Sequence, residues 1–296
     1  MLGVPQPAVS AAPQGGHRTV IPRPFPAPPG WDSESPGDVP STRIVGGEPA
    51  TRQPGAVSIQ INHRGDPNWP ICTGFLLEPW RDRVLTGAHC ATPRPGQAPT
   101  PDGYHVRAGS LDRTTGGTVA KVIGVVHPTQ WDWTVGDGQP TGDLAILRLD
   151  QRVPHRGLWL SPRIDRSKPA RFYGWGLTEP DATAPPVHLQ QMAAEVVPTE
   201  QCAGGFPSAA GELCIDKPGG GGPWRGDGGG PLVQDIGGRT VVVGLLSRGA
   251  DESAPGHPMV CTDITYWWSW VLRAAITGPT TIGAATGSAA KPQRTS

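Results

Sequence analysis

Three short strings contain the residue types that could do chemistry. LTGAHC, residues 85–90, ends a β-like run with His89, and a histidine can act as a general base near neutral pH. GDLAILRL, residues 142–149, opens an apolar run with Asp143, a carboxylate that could orient an imidazole. GDGGGPL, residues 226–232, is a glycine loop that permits close backbone approach. Singly, each also has a structural interpretation: a packed histidine, a turn before a strand and a flexible loop.

The elements that would position these strings are short β-strands. From Ile44 onward, runs of β-branched and aromatic residues alternate with Gly, Pro and Asp, which is typical of an all-β barrel or sandwich. A helix is predicted at 266–276, where Trp267, Trp270 and Val271 recur at helical spacing. Packing of this helix on a barrel is favoured over a position at a membrane interface. The predicted strands are 57–61, 83–86, 119–126, 144–149, 171–175, 192–197 and 240–246.

Composition separates the two ends from the centre. Residues 1–43 and 278–296 are rich in Pro, Gly, Ala, Ser and Thr, so a disordered leader or propeptide and a flexible tail are predicted there. No apolar run reaches the roughly 18 residues that a membrane helix needs, so no span is predicted. The 25 basic and 25 acidic residues cancel, which gives no indication of a nucleic-acid partner.

Five cysteines bear on the cellular compartment. No two of them have the two-residue gap of a zinc knuckle or a redox motif, so no metal site is predicted, and two disulfides with one unpaired cysteine fit better. Disulfides indicate an oxidising compartment, so secretion is predicted. AVSAAPQ, residues 8–14, is similar to a signal-peptidase site within an incomplete signal; the alternative is an alanine-rich disordered leader. PGGGGP, residues 218–223, lacks the Gly-Lys-Ser/Thr of a phosphate loop, and no cofactor is predicted.

In this order, the three strings resemble the chymotrypsin and trypsin family of serine proteases. RIVGG at 43–47 is similar to the activation site of that family. GWG at 174–176 is similar to a loop of its second barrel, and PMVCTDI at 258–264 to its penultimate strand. Any one of these matches could arise by chance, but the ordered set indicates the family.

The resemblance implies an all-β fold of two six-stranded antiparallel β-barrels with a C-terminal helix. A cleft between the barrels would hold the active site. Residues 44–277 are then predicted to be one protease domain, with barrels at roughly 44–160 and 161–277.

The resemblance also assigns roles to the three strings. His89 matches the general base, and Asp143 matches the carboxylate that fixes the tautomer of the imidazole and stabilises its charged form. Gly226 and Gly228 match the positions whose backbone N–H groups form an oxyanion hole. Gly228 stands where the family has its nucleophilic serine. Because glycine has no side-chain nucleophile, the chain is predicted to be catalytically inactive.

The substrate pocket implied by the resemblance is altered as well. Gly222 occupies the base of the pocket, where trypsins carry an aspartate, so no charge would meet a Lys or Arg side chain. Gly249 and Met259 match the two wall positions, and the bulk of Met259 could close the pocket. Ser247 matches a residue that supports the aspartate, and Arg248 replaces the tryptophan that usually follows it.

The same resemblance implies how the chain is cross-linked and activated. Cys261 is expected to be a lone buried thiol, and Trp224 stands where a third disulfide would begin. Cleavage after Arg43 would free the amine of Ile44, which would pair with Asp227 and order the oxyanion loop. The implied disulfides are Cys72–Cys90 and Cys202–Cys214.

Three functional hypotheses follow. The first is a secreted monomeric pseudo-protease that binds a peptide, a protein or an inhibitor in the cleft without cleaving it. The second is a serine endopeptidase whose active form carries Ser at position 228. The third is a drifting gene product without a selected activity. The combined changes at Gly222, Trp224, Gly228 and Met259 favour the first or the third hypothesis, because a single substitution would leave the pocket intact.

Overall fold

The structure is a computed structural model. It describes residues 44–92, 104–131, 133, 141–179, 182–205, 207, 210–249 and 258–277. The predictions for 1–43 and 278–296 therefore concern residues outside this set. In the described part of the chain, no helix is both long and apolar enough to cross a membrane.

The described strands run in chain order through both halves of the molecule. They are β1 Glu48–Pro49, β2 Ala56–His63, β3 Asp66–Leu76, β4 Arg83–Thr86, β5 His105–Ala108, β6 Thr118–Val126, β7 Ala145–Leu149, β8 Trp159–Leu160, β9 Ala170–Gly174, β10 Gln190–Val197, β11 Glu212–Asp216, β12 Pro231–Ile236, β13 Arg239–Gly249 and β14 Met259–Asp263. Two 3₁₀ segments, Ala88–Cys90 and Thr199–Gly205, and the helix α1, Ile264–Thr277, complete the elements.

The first barrel closes in the order β2-β3-β4-β7-β6-β5. All of its pairings are antiparallel. Its interior is filled by aliphatic side chains such as Ile59, Val84, Val106 and Leu147. Closure gives every backbone edge a partner, which a small set of short strands needs for stability.

The second barrel closes in the order β9-β10-β11-β14-β13-β12, because β9 pairs with both β10 and β12. The short strands β1 and β8 extend its sheet by pairing with β10 and β13. Its interior is also apolar and includes Phe172, Leu213 and Leu246. The predicted fold, two six-stranded antiparallel barrels followed by a C-terminal helix, is confirmed.

A third apolar cluster joins the two barrels to the helix. It contains Phe75 and Leu85 from the first barrel, Trp175 and Leu245 from the second, and Trp267 from α1. The helix therefore packs on the barrels with its apolar face, as the sequence predicted. This shared core fixes the relative position of β4 and β13, the strands that end beside the candidate site.

A buried arginine also connects the halves. Nε of Arg113 donates to the carbonyl of Pro186 at 3.1 Å, and its Nη1 donates to the carbonyl of Asn68 at 2.8 Å. The carbonyl of Pro186 lies between β9 and β10 of the second barrel, and the carbonyl of Asn68 lies on β3 of the first. The arginine thus satisfies buried backbone acceptors on both sides of the boundary.

The two implied disulfides are present, Cys72–Cys90 and Cys202–Cys214. The first bonds β3 to the 3₁₀ turn that carries His89. Cys261 is free and buried on β14, as predicted, and burial raises the pKa of its thiol. A protonated, buried thiol behaves as a small apolar side chain.

Replacing Leu85 with alanine should lower the free energy of unfolding by about 2–5 kcal/mol, because this fully buried side chain belongs to the shared core. Val187→Ala is the matched control. Its side chain is 46% exposed, so the change should stay within about 0.5 kcal/mol. Denaturant unfolding measures both, and equal effects would contradict the packing described.

Candidate active site

The chain places His89 by a tight turn at the end of β4. Residues Ala88–Cys90 form a single 3₁₀ turn, and Gly87 precedes it in an extended conformation. A Cβ on Gly87 would lie 2.6 Å from Cε1 of His89, so glycine is what lets the ring occupy this place. The disulfide from Cys90 to β3 holds the other side of the turn.

His89 and Asp143 form a buried pair. Nδ1 of His89 lies 2.8 Å from Oδ2 of Asp143, and the backbone N–H of His89 donates to Oδ1 at 3.0 Å. The two residues are 6% and 0% exposed. Binding of Nδ1 by a carboxylate leaves Nε2 as the nitrogen that faces the rest of the site.

The carboxylate of Asp143 is held from the second barrel as well. Ser247 on β13 donates its hydroxyl to Oδ2 at 2.6 Å, and Thr262 on β14 donates to the backbone carbonyl of Asp143 at 2.8 Å. Burial alone would raise the pKa of Asp143. The charge of His89 and the hydrogen bonds from His89 and Ser247 outweigh it, and the pKa lies below its usual value. The support from Ser247 is the one expected from the sequence.

The glycine loop follows at the start of β12. Gly226 and Gly229 have φ values of +97° and +73°, a region that favours glycine. A Cβ on Gly230 would lie 2.7 Å from the carbonyl oxygen of Tyr173, so this residue is glycine for close packing. Within the described residues, the N–H groups of Gly226 and Gly228 have no hydrogen-bond acceptor in the protein. Both are therefore available to bind an anion or a carbonyl oxygen.

Gly228 lies directly against His89. A Cβ built on Gly228 would overlap Nε2 of the imidazole. In the described part of the protein, Nε2 instead contacts the sulfur of Cys90, at 3.3 Å. The ring thus fills the space that a side chain at position 228 would need.

Asp227 points inward from the same loop and is fully buried. Its two carboxylate oxygens accept hydrogen bonds from the N–H of Gly176 and of Trp224, each at 2.8 Å. Burial raises the pKa of Asp227 to about 7, although these two hydrogen bonds oppose the shift. Ile44, also fully buried, packs in the apolar cluster that contains Phe172, while Arg43 lies outside the described residues.

The predicted pocket residues lie on neighbouring segments. Gly222 donates its N–H to the carbonyl of Val45 at 3.0 Å, which joins the loop before the glycines to the start of the domain. Gly249 pairs with Met259 across β13 and β14. Met259 is buried in the apolar interior of the second barrel, in the cluster that contains Ile44.

One feature of the site was missed by sequence reasoning. Arg248 on β13 forms a bidentate ion pair with Glu212 on β11, with N–O distances of 2.9 and 2.8 Å. Both side chains are buried, and the hydroxyl of Thr141 also donates to Glu212, at 2.9 Å. The signal was an arginine where the family has tryptophan, but nothing in the sequence links it to a glutamate 36 positions away.

Three potential metal-ligating side chains cluster at the site. The sulfurs of Cys72 and Cys90 and a nitrogen of His89 lie within 4.8 Å of one another. The two sulfurs are bonded to each other, so they are not the thiolates that would ligate a soft metal ion. With the disulfide formed, this cluster does not match a metal-binding set.

The fold and the arrangement of His89, Asp143 and Ser247 define a protein of the chymotrypsin-like serine protease class. The profile of the Trypsin family matches residues 44–271. The chain belongs to this family.

Individual relatives of the chain are also trypsins. The chain is 28% identical to trypsin alpha of Drosophila melanogaster over 242 residues, which are 79% of this chain and 88% of the fly protein. It is 27% identical to trypsin alpha and to trypsin epsilon of Drosophila erecta, over the same shares of each chain.

The stability of the uncut chain should fall as pH rises, because the pKa of buried Asp227 is raised. The folded state binds this proton more tightly than the unfolded state, whose carboxyl titrates at about 4. The contribution is therefore complete below about pH 4 and is lost as pH rises toward about 7. Between about pH 5 and about pH 8, the free energy of unfolding should decrease by on the order of 2 kcal/mol more than in Asp227→Asn.

Denaturant unfolding of both proteins at a series of pH values measures this difference. Subtracting the Asp227→Asn profile removes the contribution of the histidines. Two superimposable profiles would contradict this prediction, because they would show that the pKa of Asp227 is not raised in the uncut chain.

Proposed function

We propose that this protein is a pseudo-protease: a trypsin-family domain that binds a peptide or protein ligand in the cleft between its barrels and does not hydrolyse it. The observation that carries the proposal is the contact between Gly228 and Nε2 of His89. The general base faces a residue with no side chain, so it has no nucleophile to activate. In proteases of this type, loss of the nucleophile lowers kcat by about 10⁶-fold.

Neighbouring hydroxyl groups do not replace the missing serine. The hydroxyl of Ser247 is donated to Asp143, on the far side of the imidazole from Nε2. Thr86 donates its hydroxyl to the carbonyl of Thr73 at 2.8 Å, and Thr73 donates its own to the carbonyl of Gly226 at 3.4 Å. Each of these groups is committed to a structural acceptor.

The loop retains what ligand binding requires. The free N–H groups of Gly226 and Gly228 can donate hydrogen bonds to a carbonyl oxygen or a carboxylate without any chemistry at position 228. Cleavage after Arg43 would stabilise this arrangement of the loop, because the freed amine of Ile44 could pair with the buried carboxylate of Asp227. The two disulfides support secretion, since such bonds persist in oxidising compartments.

A second candidate function is an endopeptidase whose active form carries Ser at 228. The assembled His89–Asp143 pair and its support from Ser247 favour it. The overlap at position 228 disfavours it, because a serine there would require the imidazole to move away. The changes at Gly222 and Trp224 also disfavour it, because they alter positions near the pocket other than the nucleophile.

Hydrolysis of a peptide-ester library tests whether the native sequence has lost turnover. We expect protein cut after Arg43 to show no turnover above that of its His89→Ala variant. The Gly228→Ser variant should exceed Gly228→Ser combined with His89→Ala by at least about tenfold, because a nucleophile restores a partner for the base. Turnover of the native sequence that depends on His89 would overturn the proposal. Absence of turnover in both the native protein and the Gly228→Ser variant would show that the cleft, and not only the nucleophile, has changed.

Binding can be tested without catalysis. A ligand at about 100 times its Kd stabilises the folded state by about 2.7 kcal/mol, so a true ligand should raise Tm by several degrees. We expect such a shift within a panel of peptides and protease inhibitors measured on protein cut after Arg43. The uncut protein is the control, and it should respond less because Asp227 lacks its ammonium partner. No shift across the panel would contradict the binding role.

A further inference from the structure

We propose that Arg248 and Glu212 are positioning residues for the His89–Asp143 pair. They close a ring of hydrogen bonds that starts and ends at Asp143. The inference concerns how the pair is held, and it stands whether or not the cleft binds a peptide. In order around the ring, the members are Asp143, Thr141, Glu212, Arg248 and Ser247.

Every bond in the ring has a consistent donor and acceptor. The N–H of Asp143 donates to the hydroxyl oxygen of Thr141 at 3.3 Å, and that hydroxyl donates to Glu212. Nη1 of Arg248 donates both to Glu212 and, at 3.1 Å, to the hydroxyl oxygen of Ser247. The hydroxyl of Ser247 then donates to Oδ2 of Asp143 at 2.6 Å. Arg248 thus donates to both of its neighbours in the ring, and Glu212 accepts from both of its neighbours.

The guanidinium decides which way the hydroxyl of Ser247 points. A serine hydroxyl has one hydrogen to donate. Because Nη1 of Arg248 donates to the oxygen, that oxygen acts as an acceptor toward the arginine. Its single hydrogen is left for Oδ2 of Asp143, the same oxygen that lies 2.8 Å from Nδ1 of His89. Arg248 therefore acts on the imidazole through Ser247 and Asp143.

The ring also spans the boundary between the barrels. Thr141 and Asp143 precede β7 of the first barrel, whereas Glu212, Ser247 and Arg248 lie on β11 and β13 of the second. The side chains of Arg248 and Glu212 are 4% and 1% exposed, so water does not compete for these bonds. A charged pair with both partners buried is rigid only when its hydrogen bonds are satisfied, and Glu212 accepts from Thr141 and from both Nη atoms of Arg248.

The test is the exchange with solvent of the Nδ1 proton of His89, followed by NMR in the native chain. The informative variant is Arg248→Met with Glu212→Gln. It removes both charges together, keeps the net charge and leaves an acceptor for Thr141. We expect exchange at least about tenfold faster than in the native protein, because the hydroxyl of Ser247 can then turn away from Asp143.

A mutant cycle tests the route through Ser247. Ser247→Ala should speed exchange by a similar factor, and Ser247→Thr, which keeps a hydroxyl, should restore the native rate. Adding Ser247→Ala to the Arg248/Glu212 double variant should not speed exchange further, because both changes act on the hydrogen bond from Ser247 to Asp143. Arg113→Met is the control. It removes an equally buried arginine from the barrel boundary and should lower Tm without altering the Nδ1 proton.

Two outcomes would overturn the inference. One is an exchange rate of the Nδ1 proton in the Arg248/Glu212 double variant that equals the native rate. The other is an additive effect of Ser247→Ala on top of it, which would show that the two parts act separately. If the double variant does not fold, the serine variants still decide. Native exchange in Ser247→Ala would show that the hydroxyl does not hold Asp143 for His89.

Discussion

A carboxylate removed from water must be satisfied by the protein, and the buried oxygens of Asp143 set this requirement at the boundary between the barrels. No single element can meet it. The imidazole of His89 comes from the first barrel, while the hydroxyl of Ser247 comes from the second. Thr262, also from the second barrel, holds the backbone carbonyl of the same residue. The two barrels therefore have to dock in one register for the charge to be stable, and the shared apolar core holds them there.

A second buried carboxylate in the same site is in the opposite state. Asp143 has the imidazole of His89 and several hydrogen bonds beside it, and its pKa is lowered, whereas Asp227 accepts from two backbone donors and its pKa is raised to about 7. The difference is physical: backbone N–H groups offset part of the desolvation of a carboxylate, and an opposite charge offsets more. In the uncut chain Asp143 is therefore stable as a carboxylate, whereas Asp227 is stabilised by binding a proton or by pairing with a cation.

Sequence patterns located most of these parts because their signals are local. The strand predicted at 83–86 matches β4, and the helix predicted at 266–276 lies within α1, which begins earlier because Asp263 accepts the N–H of Thr265. Strand β3 was not predicted. Its prolines and Gly74 are residues that strands disfavour, and pairing with β2 overrides that preference. The Arg248–Glu212 pair was not predictable either, since only the folded sheet brings the two side chains together.

The assembled pair is not by itself a sign of catalysis. Removing one member of the ring around Asp143 would leave a buried charge or hydroxyl without its partner, and such losses destabilise a fold strongly. Removing the hydroxyl at position 228 leaves no such group behind. Nε2 of His89 meets the sulfur of Cys90, and the ring fills the space next to Gly228. A serine protease can therefore lose its nucleophile without leaving a buried polar group unsatisfied at this site, while the loss of its base or its aspartate would leave one.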